Sequence, residues 1–170
     1  MFNEKSHSID GRIVSISQPH VRPIIRGKAK AAVEFGAKIT ISVVDGFVSI
    51  ERLSWEPYNE GADLIEQIEQ YYADYGYYPE SVHVDQIYRN RENRAYCNEK
   101  NIRLSGKPLG RPPKANAEIK KQYRRDELLR IPVEGKIGNA KRKYGWDCIM
   151  SKKQTTSETT IGLIALVLNL

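Results

Sequence analysis

The chain has 170 residues, a length that allows one domain with a hydrophobic core and is short for two. Apolar residues make up 40% of the sequence, which argues against a disordered chain, and 27 Lys and Arg against 21 Asp and Glu give a net charge of +6. A basic surplus favours a polyanionic partner because phosphate neutralisation releases counterions; the alternative is a basic protein without such a partner.

Signals for cross-linking and targeting are weak. Cys97 and Cys148 are the only cysteines, and their spacing predicts neither a zinc site nor a secreted disulfide scaffold. The start of the chain is polar, and the apolar run at residues 161–170 is about half of the ~20 residues that span a bilayer. We therefore expect a cytoplasmic protein. Because the apolar run stops without a polar cap or Gly, and a strand-like segment begins soon after the N-terminus, we also expect truncation at both ends.

The first part of the chain is predicted to be mostly β-structure. Strand-like runs occupy residues 13–17, 37–44 and 47–53. Residues 20–30 are basic and contain proline, which indicates an exposed loop. The Asp45-Gly46 pair between the last two runs is a strong signal for a two-residue hairpin turn.

The second part alternates helix and strand. Helices are predicted over residues 61–75, 89–100 and 117–129 and from Thr159 onward, and short strands over residues 81–85 and 102–104. Antiparallel hairpin strands followed by alternating helices and strands predict an α/β fold with an RNase H-like mixed sheet. We expect a single domain over residues 1–170.

Asp85 is the first candidate for chemistry. It ends the short strand at residues 81–85, and a strand end holds a carboxylate in a fixed direction at the edge of a sheet, where it can bind a metal ion. The alternative is a helix N-cap, a role that Asp often has.

A second group of candidates is Arg130, Glu134 and Lys141. On a helix Arg130 and Glu134 share a face, and Lys141 follows about two turns later. A carboxylate flanked by cations suits a metal-bound phosphodiester, because the carboxylate holds the ion and the cations hold phosphate oxygens. The alternative is an ordinary salt bridge on a solvated helix, whose regularity Pro132 limits.

The Arg-x3-Glu-x6-Lys spacing of these residues resembles the core of the Y-(2)-R-(3)-E-(6)-K pattern of DDE-type bacterial insertion-sequence transposases. The blocks similar to one branch of that family are residues 12–19, 21–24, 26–28, 34–38, 58–60, 85–89, 93–94, 102–106 and 109–112. By this resemblance Asp85 and Glu134 are the second and third catalytic, metal-binding carboxylates. Arg130 and Lys141 are the accompanying DNA-contacting cations.

The resemblance also implies an activity: metal-dependent cleavage and transfer of DNA strands. The implied cofactors are two Mg²⁺ or Mn²⁺ ions, and the implied partner is double-stranded DNA, from both the transposon ends and the target. It allows a homodimer in the transposition complex.

Two departures from the pattern stand out. The Tyr of the pattern falls at position 127, where this chain has Glu127, and the first catalytic Asp of longer relatives lies upstream of residues 12–19. Asp10 is a candidate substitute, with a turn beside Gly11 as its alternative role. We therefore expect little or no catalysis from this chain alone. The alternative function is a non-catalytic DNA-binding remnant of a transposase.

Three groups of basic side chains, two in loops and one beside Glu134, fit contacts with backbone phosphate, with a solvated surface as the alternative for each. Phosphate contact is predicted only for the group beside Glu134, which comprises the last four residues of the list that follows. The three groups comprise Arg22, Arg26, Lys28, Lys30, Lys107, Arg111, Lys114, Lys136, Lys141, Arg142 and Lys143.

Overall fold

The computed structural model describes residues 11–28, 31–106 and 117–170. Within them lie six strands: β1 Arg22–Lys28, β2 Ala31–Gly36, β3 Lys38–Val44, β4 Phe47–Ser54, β5 Ser81–Val82 and β6 Arg103–Leu104. The four helices there are α1 Leu64–Tyr75, α2 Arg91–Glu99, α3 Ala117–Tyr144 and α4 Gln154–Val167. The predicted mixed α/β class is confirmed, whereas the RNase H-like arrangement stays a prediction.

The chain divides into two compact units. Unit 1 comprises Met1–Tyr58 and Asn139–Leu170, and unit 2 comprises Asn59–Gly138. The single domain expected over residues 1–170 stays a prediction, because two compact units can belong to one domain.

Unit 1 contains two antiparallel strand pairs. The pair β3–β4 is closed by Asp45 and Gly46, which have φ angles of 50° and 87°. Positive φ at both central residues is what a type I′ hairpin turn requires, so the predicted hairpin is confirmed. In the pair β1–β2, Ile24 is buried while the next residue, Ile25, is 84% exposed, as expected for successive residues of a strand.

Two predictions for this part of the chain were wrong. Residues 13–17 form no strand within the described chain, and β1 occupies most of the predicted loop at residues 20–30. The physical reason is pairing. Strand β1 finds hydrogen-bonding partners in β2, whereas the alternation of residues 13–17 has no paired neighbour among the described residues.

The core of unit 1 forms where α4 packs on β4. Its buried residues are Val48, Ala140, Ile164 and Leu168. Trp146 packs against this cluster. The Asn169 side chain accepts from the Val48 N–H (2.7 Å) and donates to its C=O (2.9 Å), so it pairs with the strand backbone at that point.

Unit 2 is built around a separate core. Leu64 and Ile68 of α1 pack with Cys97 of α2 and with Ile102, beside the two-stranded parallel pair β5–β6. Burial raises the pKa of the Cys97 thiol. The predicted first helix is confirmed, and it ends at Gly76, whose φ of 76° is the left-handed conformation of a helix C-cap.

Helix α3 is longer than predicted. It continues through Pro132 and the Lys- and Arg-containing residues 136–143 and ends at Tyr144. Strand β5 is shorter than predicted and ends at Val82, and α4 begins at Gln154 rather than Thr159. In the described part of the chain, no helix combines the length and apolar character needed to cross a membrane.

Candidate acidic site

Asp85 lies three residues beyond the end of β5, immediately before a short 3-10 turn, Gln86–Tyr88. Its position is that of an N-cap, yet the described residues provide no side-chain capping hydrogen bond from it. Instead, Asp85 Oδ1 accepts a charge-assisted hydrogen bond at 2.5 Å from Nη2 of Arg130, 45 residues away. The Asp85 side chain therefore pairs with a distant guanidinium and does not cap the turn that follows it.

Arg130 joins the two predicted carboxylates. The same Nη2 atom lies 3.5 Å from Oε1 of Glu134, one helical turn further along α3. Because Asp85 Oδ1 is 2.5 Å and Glu134 Oε1 is 3.5 Å from one atom, the two carboxylate oxygens are at most 6.0 Å apart. Both side chains are largely exposed, 67% for Asp85 and 70% for Glu134, so a solvent-borne ligand can reach them.

The segment that carries Asp85 is held on both sides. The N–H of Val84, just before it, donates to Ser105 Oγ at 3.2 Å. Just after it, the buried Asn93 side chain donates to the carbonyl oxygens of Tyr88 and Gly61, both at 2.7 Å. A Cβ at Gly61 would lie 2.6 Å from the Ile87 carbonyl oxygen, so this position requires glycine.

These contacts place several sequence blocks around one loop. Asn90 caps α2 by accepting from the Asn93 N–H at 2.8 Å and also donates to Gly61 at 3.0 Å. Three of the blocks therefore meet beside the backbone of Asp85 and restrict it; they are residues 85–89, 93–94 and 102–106.

Asp126 is a part of this region that the sequence analysis missed. It lies on α3 one turn before Arg130 and is only 4% exposed. Its two carboxylate oxygens each accept from Arg103 Nη1 at 2.9 Å, and Oδ1 also accepts from Gln122 at 3.0 Å. The spacing of Asp126, Arg130 and Glu134, four residues at each step, was the available signal for a shared helix face.

His83 lies beside this buried carboxylate, with Nδ1 3.9 Å from Asp126 Oδ1. Burial lowers the pKa of His83, and the charge of Asp126 partly opposes that shift. His83 is thus a packed partner of the helix.

Lys141 follows Glu134 by seven residues in α3 and is exposed, as are Arg142 and Lys143. Glu127 is also exposed. Arg22 is engaged locally: its guanidinium pairs with Glu56 at 3.1 Å. The predictions for Asp10, Lys30, Lys107, Arg111 and Lys114, and for the side chains of Arg26 and Lys28, lie outside the described residues.

The donor set suits a hard divalent cation, because Mg²⁺ is commonly bound by one or two carboxylates together with substrate phosphates and water. Asp85 and Glu134 provide two such carboxylates, and both are exposed. Across residues 11–28, 31–106 and 117–170, no group of three or more His, Cys, Asp or Glu side chains is arranged to hold a metal ion.

Comparison with protein families places part of this chain in a known family. The model of the transposase DDE domain family matches residues 82–170, which include Asp85, Glu134 and Lys141. The match covers more than half of the chain, and the chain therefore belongs to the transposase DDE domain family. No curated protein and no solved structure matches it.

Proposed function

We propose that this chain provides two metal-binding carboxylates, Asp85 and Glu134, for cleavage and transfer of DNA strands. The observation that carries the proposal is the bridging of Asp85 and Glu134 by a single guanidinium, that of Arg130. Membership of a transposase family supports a DNA substrate and a divalent metal. The finer assignment to the Y-(2)-R-(3)-E-(6)-K group rests on the spacing of Arg130, Glu134 and Lys141. The proposed RNase H-like fold rests on the order of strands and helices along the chain.

The chemistry of the site follows from where its charges lie. Bound Mg²⁺ or Mn²⁺ supplies activation of an attacking oxygen and stabilisation of the leaving oxygen. Asp85 and Glu134, both exposed, would hold the ion at the protein surface, where a DNA backbone can approach. Arg130 pairs with both carboxylates, and its planar donors are also suited to a phosphate oxygen.

Lys141 is proposed to contact backbone phosphate. It follows Glu134 by seven residues in α3, and its side chain is exposed. Such contacts position a duplex and do not read its sequence. Double-stranded DNA is therefore the proposed partner, and a homodimer is the proposed form of the transposition complex.

A specific observation favours the second candidate, a DNA-binding remnant without catalysis. The described residues contain no third carboxylate suitably placed beside Asp85 and Glu134. In this alternative Arg130 and Lys141 bind DNA while Asp85 serves as a structural ion-pair partner.

Calorimetry with Mn²⁺ distinguishes the two functions. We expect the parent chain to bind Mn²⁺ and both Asp85→Asn and Glu134→Gln to abolish binding, because each removes one charged oxygen ligand. Asp45→Asn is the matched control, since it removes an exposed carboxylate in a turn that Asn tolerates.

A plasmid-nicking assay in Mn²⁺ on the same variants then tests catalysis. Absence of Mn²⁺ binding by the parent chain, with DNA binding retained, would contradict the metal site and favour the remnant. Mn²⁺ binding without nicking would show a partial site, and Asp10→Asn tests whether Asp10 contributes to it.

A further inference from the structure

Asp126 is a buried carboxylate, and both of its oxygens accept hydrogen bonds. Arg103, at the start of β6, donates to both of its oxygens, and Gln122 donates from one turn earlier in α3. A buried carboxylate is strongly unfavourable unless it is paired and hydrogen-bonded. A register of α3 that separated Asp126 from Arg103 would leave this buried carboxylate without its arginine partner.

A second contact lies one helical turn away. His83 approaches Asp126, and Asp85, two residues later, accepts from Arg130, four residues after Asp126. Both contacts are present together, so one alignment of α3 with the 83–85 segment provides the two.

The two contacts differ in strength. The Asp85–Arg130 pair is exposed, and exposed ion pairs contribute little on their own. Asp126 is almost fully buried, so its contacts have the larger influence on where the helix lies. Arg130 and Glu134 follow on the same helix face.

We propose that Asp126 is a positioning residue: held by Arg103, it sets the register of α3 so that Arg130 and Glu134 reach Asp85. The proposal rests on the proposed function of the acidic site for its consequence on metal binding. Its structural part is independent of that function and can be measured without metal or DNA.

The experiment is a distance measurement by double electron–electron resonance on the full chain. Nitroxide labels are placed at Ile87→Cys and Gly135→Cys, next to Asp85 and Glu134, in a Cys148→Ser background. Ile87 is 52% exposed, and a Cβ at Gly135 would meet no described atom within 4 Å, so both labels are tolerated. Cys97 is fully buried and does not compete for the label.

The expected result in the parent is one narrow distance distribution, and in Asp126→Asn a broadened or shifted one. In the unlabelled chain, Asp126→Asn is expected to weaken Mn²⁺ binding about 10–100-fold, the usual effect of losing a residue that orients ligands. Glu118→Gln removes an exposed charge from the same helix and should match the parent in both measurements.

A second control separates positioning from general destabilisation. Ile68→Val trims the core of unit 2 and lowers the Tm, but it should leave the distance distribution and the Mn²⁺ affinity unchanged. A distribution in folded Asp126→Asn identical to that of the parent would overturn the proposal. If Ile68→Val broadens the distribution as much as Asp126→Asn, the effect is one of stability and the proposal is likewise overturned.

Two further outcomes are informative. If Asp126→Asn does not fold, Arg103→Gln decides, because it removes the guanidinium that donates to both oxygens of Asp126 from outside α3: a broadened distribution supports the proposal and an unchanged one overturns it. If the parent binds no Mn²⁺ while Asp126→Asn still broadens the distribution, the register role stands and only the proposed metal function fails.

Discussion

Two carboxylates on one face of α3 use their charge in opposite ways. Asp126 marks the buried end of this stretch of the helix, and Glu134 marks its exposed end. At Asp126 the carboxylate is 4% exposed and has an arginine, a glutamine and a nearby histidine around it. At Glu134, two turns later, the carboxylate is 70% exposed and lies 3.5 Å from Arg130. A charge surrounded by partners acts as structure, whereas an exposed carboxylate retains lone pairs for a ligand. Substitutions near Asp126 and near Glu134 test this difference between the buried and the exposed carboxylate.

The largest expected effect is at the buried end. Arg103→Ala leaves the buried Asp126 without its main partner and should lower the free energy of unfolding by about 3 kcal/mol, the low end for a broken buried pair because Arg103 is itself partly exposed. Urea denaturation measures it. Arg94→Ala, an exposed arginine of α2, is the control; equal small losses in both variants would contradict the comparison.

Between the two ends lies Pro132, inside α3. It cannot donate to the carbonyl of Leu128, and a proline within a helix is unfavourable by about 3 kcal/mol relative to alanine. Pro132→Ala should therefore raise the free energy of unfolding by about 2 kcal/mol. Thermal unfolding checks the sign, and a lower Tm would mean that the chain depends on the irregularity at this turn.

At the exposed end, Arg130→Ala should change the free energy of unfolding by less than about 1 kcal/mol. The same change should strengthen Mn²⁺ binding, because it removes the cation that competes for Asp85 and Glu134. Calorimetry on parent and variant measures both affinities. Weaker Mn²⁺ binding in Arg130→Ala would show that the guanidinium orients the carboxylates rather than competing for them.

The smallest effect is expected at Lys141. If it contacts one phosphate, Lys141→Ala should reduce the slope of log K against log salt for duplex DNA by about 1. Fluorescence anisotropy at several salt concentrations gives the slope. Lys152→Ala, an exposed lysine outside α3, should leave it unchanged; equal reductions in both variants would indicate diffuse attraction rather than a phosphate contact.

Local sequence signals were dependable where the local chain decides the structure. The turn at Asp45 and Gly46 and the helix ended by Gly76 were predicted because each depends on backbone conformations that a few neighbouring residues control. The prediction failed at residues 13–17 and in the loop now occupied by β1, because a strand forms only where a partner strand is available.

The contacts of the acidic site also fall into those that the local sequence predicts and those that depend on the tertiary structure. The spacing of Arg130 and Glu134 predicted a shared helix face, and the family resemblance marked Asp85 as a member of the same site. The salt bridge between Arg130 and Glu134 lies within one helix turn, so the sequence by itself determined it. The contact between Arg130 and Asp85 joins residues 45 positions apart, and the burial of Asp126 depends on Arg103, 23 positions away. Only the tertiary structure decided these, because both require that α3 dock in one register, and no local pattern specifies which distant side chain meets which.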